Sequence, residues 1–190
     1  MTAKQVLLLA SAFLNLQQEF EPLVNNPQAQ VDERTKLEFN NLVQSLNLCY
    51  SEIALDYMPL LCSEQVLVEN NKIYVMDLTH ELKDVHSITS LDNNKSFKFV
   101  IYPDYIKTNV LGNVNITYSY VPEQISVNDN INNFAGRLSL KCLALGVAAE
   151  YCFLSGLYDD AKIFDARFKN LLKIECRKKS NITLPKRRWF

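Results

Sequence analysis

Apolar residues recur at helical spacing at both ends of the chain and at strand spacing in its middle. Near the start, Val6, Leu9, Ala10, Phe13 and Leu16 fall on one helical face, which predicts a helix over 3–21. Pro22 and Pro27, with Asn25-Asn26 between them, are expected to break it. A second helix is predicted over 31–57, with Leu42, Leu46, Cys49, Ile53 and Tyr57 as its buried stripe and Pro59 as its stop. The Asp32-Glu33 start puts acids at the positive end of that helix.

The period then changes to two. EQVLVENNKIYVMDL (64–78) places two β-rich runs around Asn70-Asn71, a hairpin signature. VHSITSLDNNKSFKFVIYP (85–103) repeats the pattern around Asn93-Asn94, with Phe97, Phe99 and Ile101 in alternation. In NVNITYSYVP (113–122), Val114, Ile116, Tyr118 and Tyr120 take one face and Asn115, Thr117 and Ser119 the other. These runs predict one small antiparallel sheet of about five strands.

Helical spacing returns in SVNDNINNFAGRLSLKCLALGVAAEYCFLSG (126–156), which opens on polar capping residues and closes on Gly156. Gly146, Ala148 and Ala149 give this helix a smooth side for the close approach of another, within the chain or between subunits. The last helix is predicted over 158–179, with Ala161, Phe164, Phe168, Leu171 and Leu172 as its stripe. Asp159 and Asp160 complement the dipole at one end of it, and Arg177 to Lys179 at the other. The short turn between these helices makes them an antiparallel hairpin.

The expected fold is therefore α+β: a helical bundle built from N- and C-terminal helix pairs, an inserted small antiparallel sheet, and an extended tail. The boundaries fall at 1–62 for the first helical pair, 63–124 for the β-rich region, 125–179 for the second helical pair and 180–190 for the tail.

Charge changes this picture at one place. The 190 residues carry a net charge of −1, but Arg177, Lys178, Lys179, Lys186, Arg187 and Arg188 supply six of the 20 basic residues. Without them, 14 basic residues face 21 acidic ones, a net −7 over residues 1–176. An acidic body with a basic end suggests that the end docks on something acidic, either another copy or nucleic acid. The last two residues are Trp189 and Phe190. Large aromatics beside arginines are typical of interface hot spots, so Arg177 to Lys179 and Lys186 to Phe190 are read as a docking arm.

Chemistry is sparse by comparison. HELKDVH (80–86) has its second His at the wrong offset for a zinc-protease helix, and there is no third ligand nearby. Five cysteines, with no CxxC, read as small buried apolar residues in a reducing compartment. Phosphate-binding glycine loops and a GxSxG nucleophile turn are absent from the sequence. Asp159, Asp160 and Asp165 read as a solvated helix face rather than a metal site. Asn115 and Asn181 head glycosylation sequons that chance explains in an Asn-rich chain. Aromatic residues of the sheet, Phe97, Phe99, Tyr102, Tyr105, Tyr118 and Tyr120, could stack nucleobases, although alternation of this kind more often makes a core face. The apolar run 142–154 contains Glu150 and is too short to span a bilayer, and the N-terminus lacks a clean signal-peptide cleavage site. No catalytic residue, metal or cofactor is expected.

Taken together, the C-terminal third has a Y-x-Y-x-P strand end (Tyr118, Tyr120, Pro122), then AAEYC (148–152), then SGLYDDAKIFDARFKNLLK (155–173), then a terminus in RRWF. Near the start, CYSEIALDYMPL (49–60) closes a helix just before the first strand. In these features, and in length and element order, the chain resembles the head–tail adaptor (connector) proteins of tailed bacteriophages. The resemblance implies a virion structural protein made in the host bacterial cytoplasm, with no enzymatic activity. It implies a ring of usually twelve copies under the portal protein, a further tail protein below, and DNA passing through the lumen without specific binding. A membrane is not among the implied partners. The alternatives are another tail ring protein, a stopper or terminator, and a nucleic-acid-binding accessory protein.

Overall fold

The computed structural model describes residues 1–91, 95–132 and 134–176. The chain begins with α1 (Ala3–Phe13) and α2 (Gln17–Asn25), where one helix had been expected. Thr2 and Gln5 close a capping box at the start of α1, each side chain accepting the other's backbone N–H at 3.3 and 3.1 Å. The break comes at Asn15, whose φ of 58° puts it in the left-handed region, and the Leu16 N–H donates back to the Ser11 carbonyl at 2.9 Å. That is a Schellman ending with Asn in the usual glycine position. Pro22, expected to end a helix, lies inside α2 instead.

Next, α3 (Glu33–Glu52) starts at Asp32, whose carboxylate accepts from the Thr35 N–H at 3.1 Å. Its stripe is buried as expected through Leu42, Leu46, Cys49 and Ile53. Tyr57 departs from it and is 42% exposed, because residues Ile53–Tyr57 widen into a π-turn that rotates the last side chain off the stripe.

Six strands follow: β1 (Leu60–Val68), β2 (Lys72–Tyr74), β3 (Leu82–Ser90), β4 (Phe99–Ile101), β5 (Tyr105–Thr108) and β6 (Gly112–Tyr120). They form two three-stranded antiparallel sheets, ordered β1-β6-β3 and β2-β5-β4, rather than the single sheet expected. Asn70 and Asn71 do make the tight turn the sequence announced. Their φ angles are 52° and 61°, and Glu69 and Lys72 exchange backbone hydrogen bonds of 3.2 and 2.8 Å. This is a two-residue hairpin turn with left-handed central residues. Past that bridge the strands part: β1 pairs along its whole length with β6, and β2 pairs with β5. The inward faces of both sheets, including Ile73, Ile88, Ile106, Val114, Ile116 and Tyr118, share one apolar cluster. The Asn93-Asn94 turn lies outside the described residues.

The segment from 126 was expected to be helical throughout, but α4 spans only Leu140–Leu154, capped by Ser139 Oγ accepting from the Cys142 N–H at 3.1 Å. The preceding stretch is irregular yet anchored, with Ile125, Ile131, Phe134 and Leu138 all buried. Phe134 and Ala135 have φ of 53° and 58°, which no helix accommodates. Two links hold this stretch. Asn47 of α3 donates to the carbonyls of Val43 and Ile125 (3.0 Å each) and accepts from the Ile125 N–H at 2.6 Å. The backbone of residues 129–131 also pairs with residues 1–3.

The last helix, α5 (Tyr158–Glu175), follows a turn in which Gly156 takes φ 75°. Residues 142–149 of α4 are all buried, as suits a helix that is apolar all round. It packs among α1, α3 and α5, so the N- and C-terminal helices form one bundle around one core. A Cβ on Gly146 would lie 2.3 Å from Cys49 Sγ of α3 and 3.0 Å from the Phe168 ring of α5. The small-residue side of α4 is thus consumed inside the chain, and the idea that it serves contacts between subunits does not hold.

Candidate functional site

The proposed docking arm, Arg177, Lys178, Lys179, Lys186, Arg187, Arg188, Trp189 and Phe190, lies outside the described residues, as does the Asn181 sequon. The structure places the other candidates.

The two histidines are separated. His86 is exposed at the second of two bulges in β3, an edge strand. His80 lines a cleft of 460 Å³ between the helical bundle and the sheets, beside Tyr50, Tyr120, Glu123 and Asn132. Its ring stacks on Tyr120 with centroids 4.3 Å apart. Its Nδ1 has no hydrogen-bond partner, and Glu123 Oε1 stands 3.6 Å away, too far for a hydrogen bond. The cleft brings no nucleophile against a base. Among the described residues, no group of three or more His, Cys, Asp or Glu is placed to hold a metal ion.

Next to the cleft a polar chain ties the two sides of the β-rich unit together. The His80 N–H donates to Tyr118 Oη (3.2 Å), and Tyr118 Oη donates to Glu64 (2.7 Å), which also accepts from the Thr79 N–H (3.1 Å) and hydroxyl. Burial alone would raise the Glu64 carboxyl, but the hydrogen bonds from Thr79 and Tyr118 outweigh it and hold the group below its ordinary value. Burial, and then the bond to Glu64, push the Tyr118 phenol up. This chain explains why Tyr118 is the largest fully buried side chain.

The sheet aromatics divide. Tyr118 is in the core, Phe97 and Phe99 pack against it, and Tyr120 is half-buried between the two units. None of these is available to stack a base. Tyr102 and Tyr105 lie on the opposite, outward side of β2-β5-β4 and stack on each other at 4.8 Å. Lys72 Nζ sits 4.4 Å from the Tyr105 ring centroid. Strand alternation puts Tyr74, Lys107, Val100 and Lys98 on the same outward side. Sequence reasoning missed this gathering because its members come from three separate runs, and only the strand register aligns them.

A second exposed group is at the α4–α5 turn, where Leu154, Leu157 and Tyr158 are 47%, 49% and 62% exposed beside Asp159 and Asp160. Asp165 pairs with Lys169 at 2.8 Å, so it is engaged along the helix rather than gathered with Asp159 and Asp160. All five cysteines are free; Cys49, Cys142 and Cys152 are buried, and burial raises each of these thiols. No helix among the described residues is long and apolar enough to cross a membrane.

No protein-family model matches the chain, and no curated protein matches it.

Proposed function

We propose that this chain is a virion structural protein without enzymatic activity, a head–tail adaptor that forms a ring under the portal and joins the capsid vertex to the tail. The observation that carries the reading is the architecture: one helical bundle made from both ends of the chain, with a β-rich unit inserted between its halves. The phage-adaptor resemblance implies that arrangement. Exposed apolar and aromatic side chains gather at the outward side of β2-β5-β4 and at the α4–α5 turn, as suits a protein whose work is assembly. In this reading the portal protein receives the basic C-terminal arm, copies of the chain (usually twelve) close the ring, and a further tail protein meets its lower side. A net charge of −7 over residues 1–176 would let DNA slide through the lumen without sticking.

Native mass spectrometry of the chain mixed with its portal, with and without residues 180–190, tests this. Full-length chain joining the portal ring and truncated chain failing to join is the expected result. If neither form touches the portal and both shift DNA in a steeply salt-dependent way, the protein is a nucleic-acid-binding accessory instead. The lysines and tyrosines outside β2-β5-β4 are the observation that favours this second reading.

A further inference from the structure

The outward face of β2-β5-β4 is unpartnered and has a definite chemistry. Lys72, Lys98 and Lys107 share it with Tyr74, Val100 and Tyr102, and the three strands, KIY, FVI and YIKT, contain no acid. Val100 is 57% exposed, and β4 is an edge strand with its outer backbone unpaired among the described residues. Exposed apolar edge strands are normally covered or charged, because they invite pairing with another chain. Neither Lys98 nor Lys107 has an ion-pair partner among the described residues.

The same molecule carries the complementary surface. At the α4–α5 turn, Leu154, Leu157 and Tyr158 are exposed beside Asp159 and Asp160, and Asp160 has no ion-pair partner among the described residues. One surface is tyrosine-rich and basic, the other apolar and acidic. Both are exposed in the single chain, so neither covers the other.

We infer that the basic, tyrosine-rich face of β2-β5-β4 is the docking surface for the acidic α4–α5 turn of a second copy of this chain. The inference rests on the ring reading and names the contact through which one copy would meet the next. Two different patches that fit each other join subunits head to tail, and a head-to-tail contact closes into a ring when its rotation allows. A nucleic-acid strand fits the face less well. Tyr105 is already engaged by the Tyr102 ring and the Lys72 ammonium, which leaves few open aromatic faces for bases.

Sedimentation velocity of the full chain over a range of concentrations, at low and high salt, measures the contact. The wild type should self-associate, and less so as salt screens the charges. Lys98→Glu with Lys107→Glu, or Asp159→Lys with Asp160→Lys, should each weaken association on the order of tenfold, as expected when a few exposed charge pairs turn repulsive. Mixing the two double variants should restore it, because every alternating contact is then matched. All four side chains are exposed, so circular dichroism should keep its wild-type signature; the lysine variant should melt at the wild-type temperature, while the aspartate variant, which places cations at the start of α5, should melt slightly lower without losing its fold. A wild type that stays monomeric at its highest attainable concentration in low salt overturns the inference. So does association unchanged by either double variant, or a fluorescent single-stranded oligonucleotide that binds the wild type and is lost with Lys98→Glu and Lys107→Glu. Incorporation into the portal ring separates the two levels. If the double variants enter the ring as the wild type does, the adaptor reading stands and this contact falls; if the wild type neither associates nor enters, both fall.

Discussion

At the scale of single residues, position rather than type decides the cost of a change. Gly146 is the clearest case, since an added methyl would meet Cys49 Sγ at 2.3 Å and the Phe168 ring at 3.0 Å. Gly146→Ala should destabilise the fold by about 2 kcal/mol despite better helix propensity, and Cys49→Ala should recover part of that loss. Urea midpoints of the two single variants and the double variant measure it. Asn47 is the second case, because it satisfies both backbone groups of Ile125 across 78 residues of sequence. Asn47→Ala leaves them short of partners and should cost about 2 kcal/mol. The same denaturation series reads this, and a cost below about 0.5 kcal/mol would mean that water replaces the amide. Sequence alone foretells one of these two sites. A glycine amid small residues announces a close approach, but nothing local to Asn47 reveals a partner so far along the chain. The Asn70-Asn71 turn was fully legible, because its signal and its physics both lie within four residues.

Between elements, what was legible is what the element decides by itself. Most of the faces of α3 and β6 follow from period alone: the structure buries Leu42, Leu46 and Cys49 of α3 and Val114, Ile116 and Tyr118 of β6 as the period selects, while Tyr57 is turned out by the π-turn and Tyr120 is half-buried. Pairing is a different matter. The sequence announces strands but not that β1 would leave β2 for β6, because that choice is made by contacts across the fold. The stretch before α4 misled for a related reason: its polar residues read as the cap of the helix that follows, but Phe134, with its ring against Tyr50 at 5.6 Å, locks a left-handed turn there. Charges between helices add a pH signature. Burial raises the Glu52 carboxyl, with Asp165 and Asp56 adding to it and Lys169 offsetting part; burial, and then Glu52 and Asp165, raise that of Glu150, with Lys169 again offsetting part. A carboxyl raised by folding binds its proton more tightly in the folded state. Its contribution is therefore full below the ordinary glutamate value of 4.5 and is lost as pH rises through the folded value. Glu64 runs the opposite way, contributing above that value and losing its contribution as pH falls. Glu52→Gln with Glu150→Gln should therefore raise the melting temperature at neutral pH, and the gain should vanish in acid. Scanning calorimetry from pH 4 to pH 8 follows it; a gain that persists in acid would point to packing instead.

At the scale of the whole molecule, the sequence foretold two things: helices from both ends of the chain form one bundle, and a β-rich unit interrupts them. It also predicts a basic, aromatic docking arm, whose residues lie outside those described. What it did not foretell is the surface outside β2-β5-β4, because each tyrosine and lysine there looks ordinary in its own run. If the chain works as a ring subunit, that face and the α4–α5 turn should lose solvent accessibility together on assembly. Limited labelling of lysines before and after ring formation checks this, with Lys98 and Lys107 expected to become protected and exposed lysines elsewhere, such as Lys173, to stay reactive.

Tyr120 is the one hydrophobic side chain, among the described residues, that packs against both apolar cores. Beside it, Leu60 at the start of β1 sits in the bundle core, the His80 ring stacks on Tyr120, and the Lys83 ammonium donates to the Leu55 carbonyl. A joint so narrow separates the two halves in time as well as in space. The sheets can open while the bundle stays shut, so amide protons of β2, β4 and β5 should exchange with deuterium well before those of α4. Tyr120→Ala should widen that gap by letting the β-rich half breathe on its own.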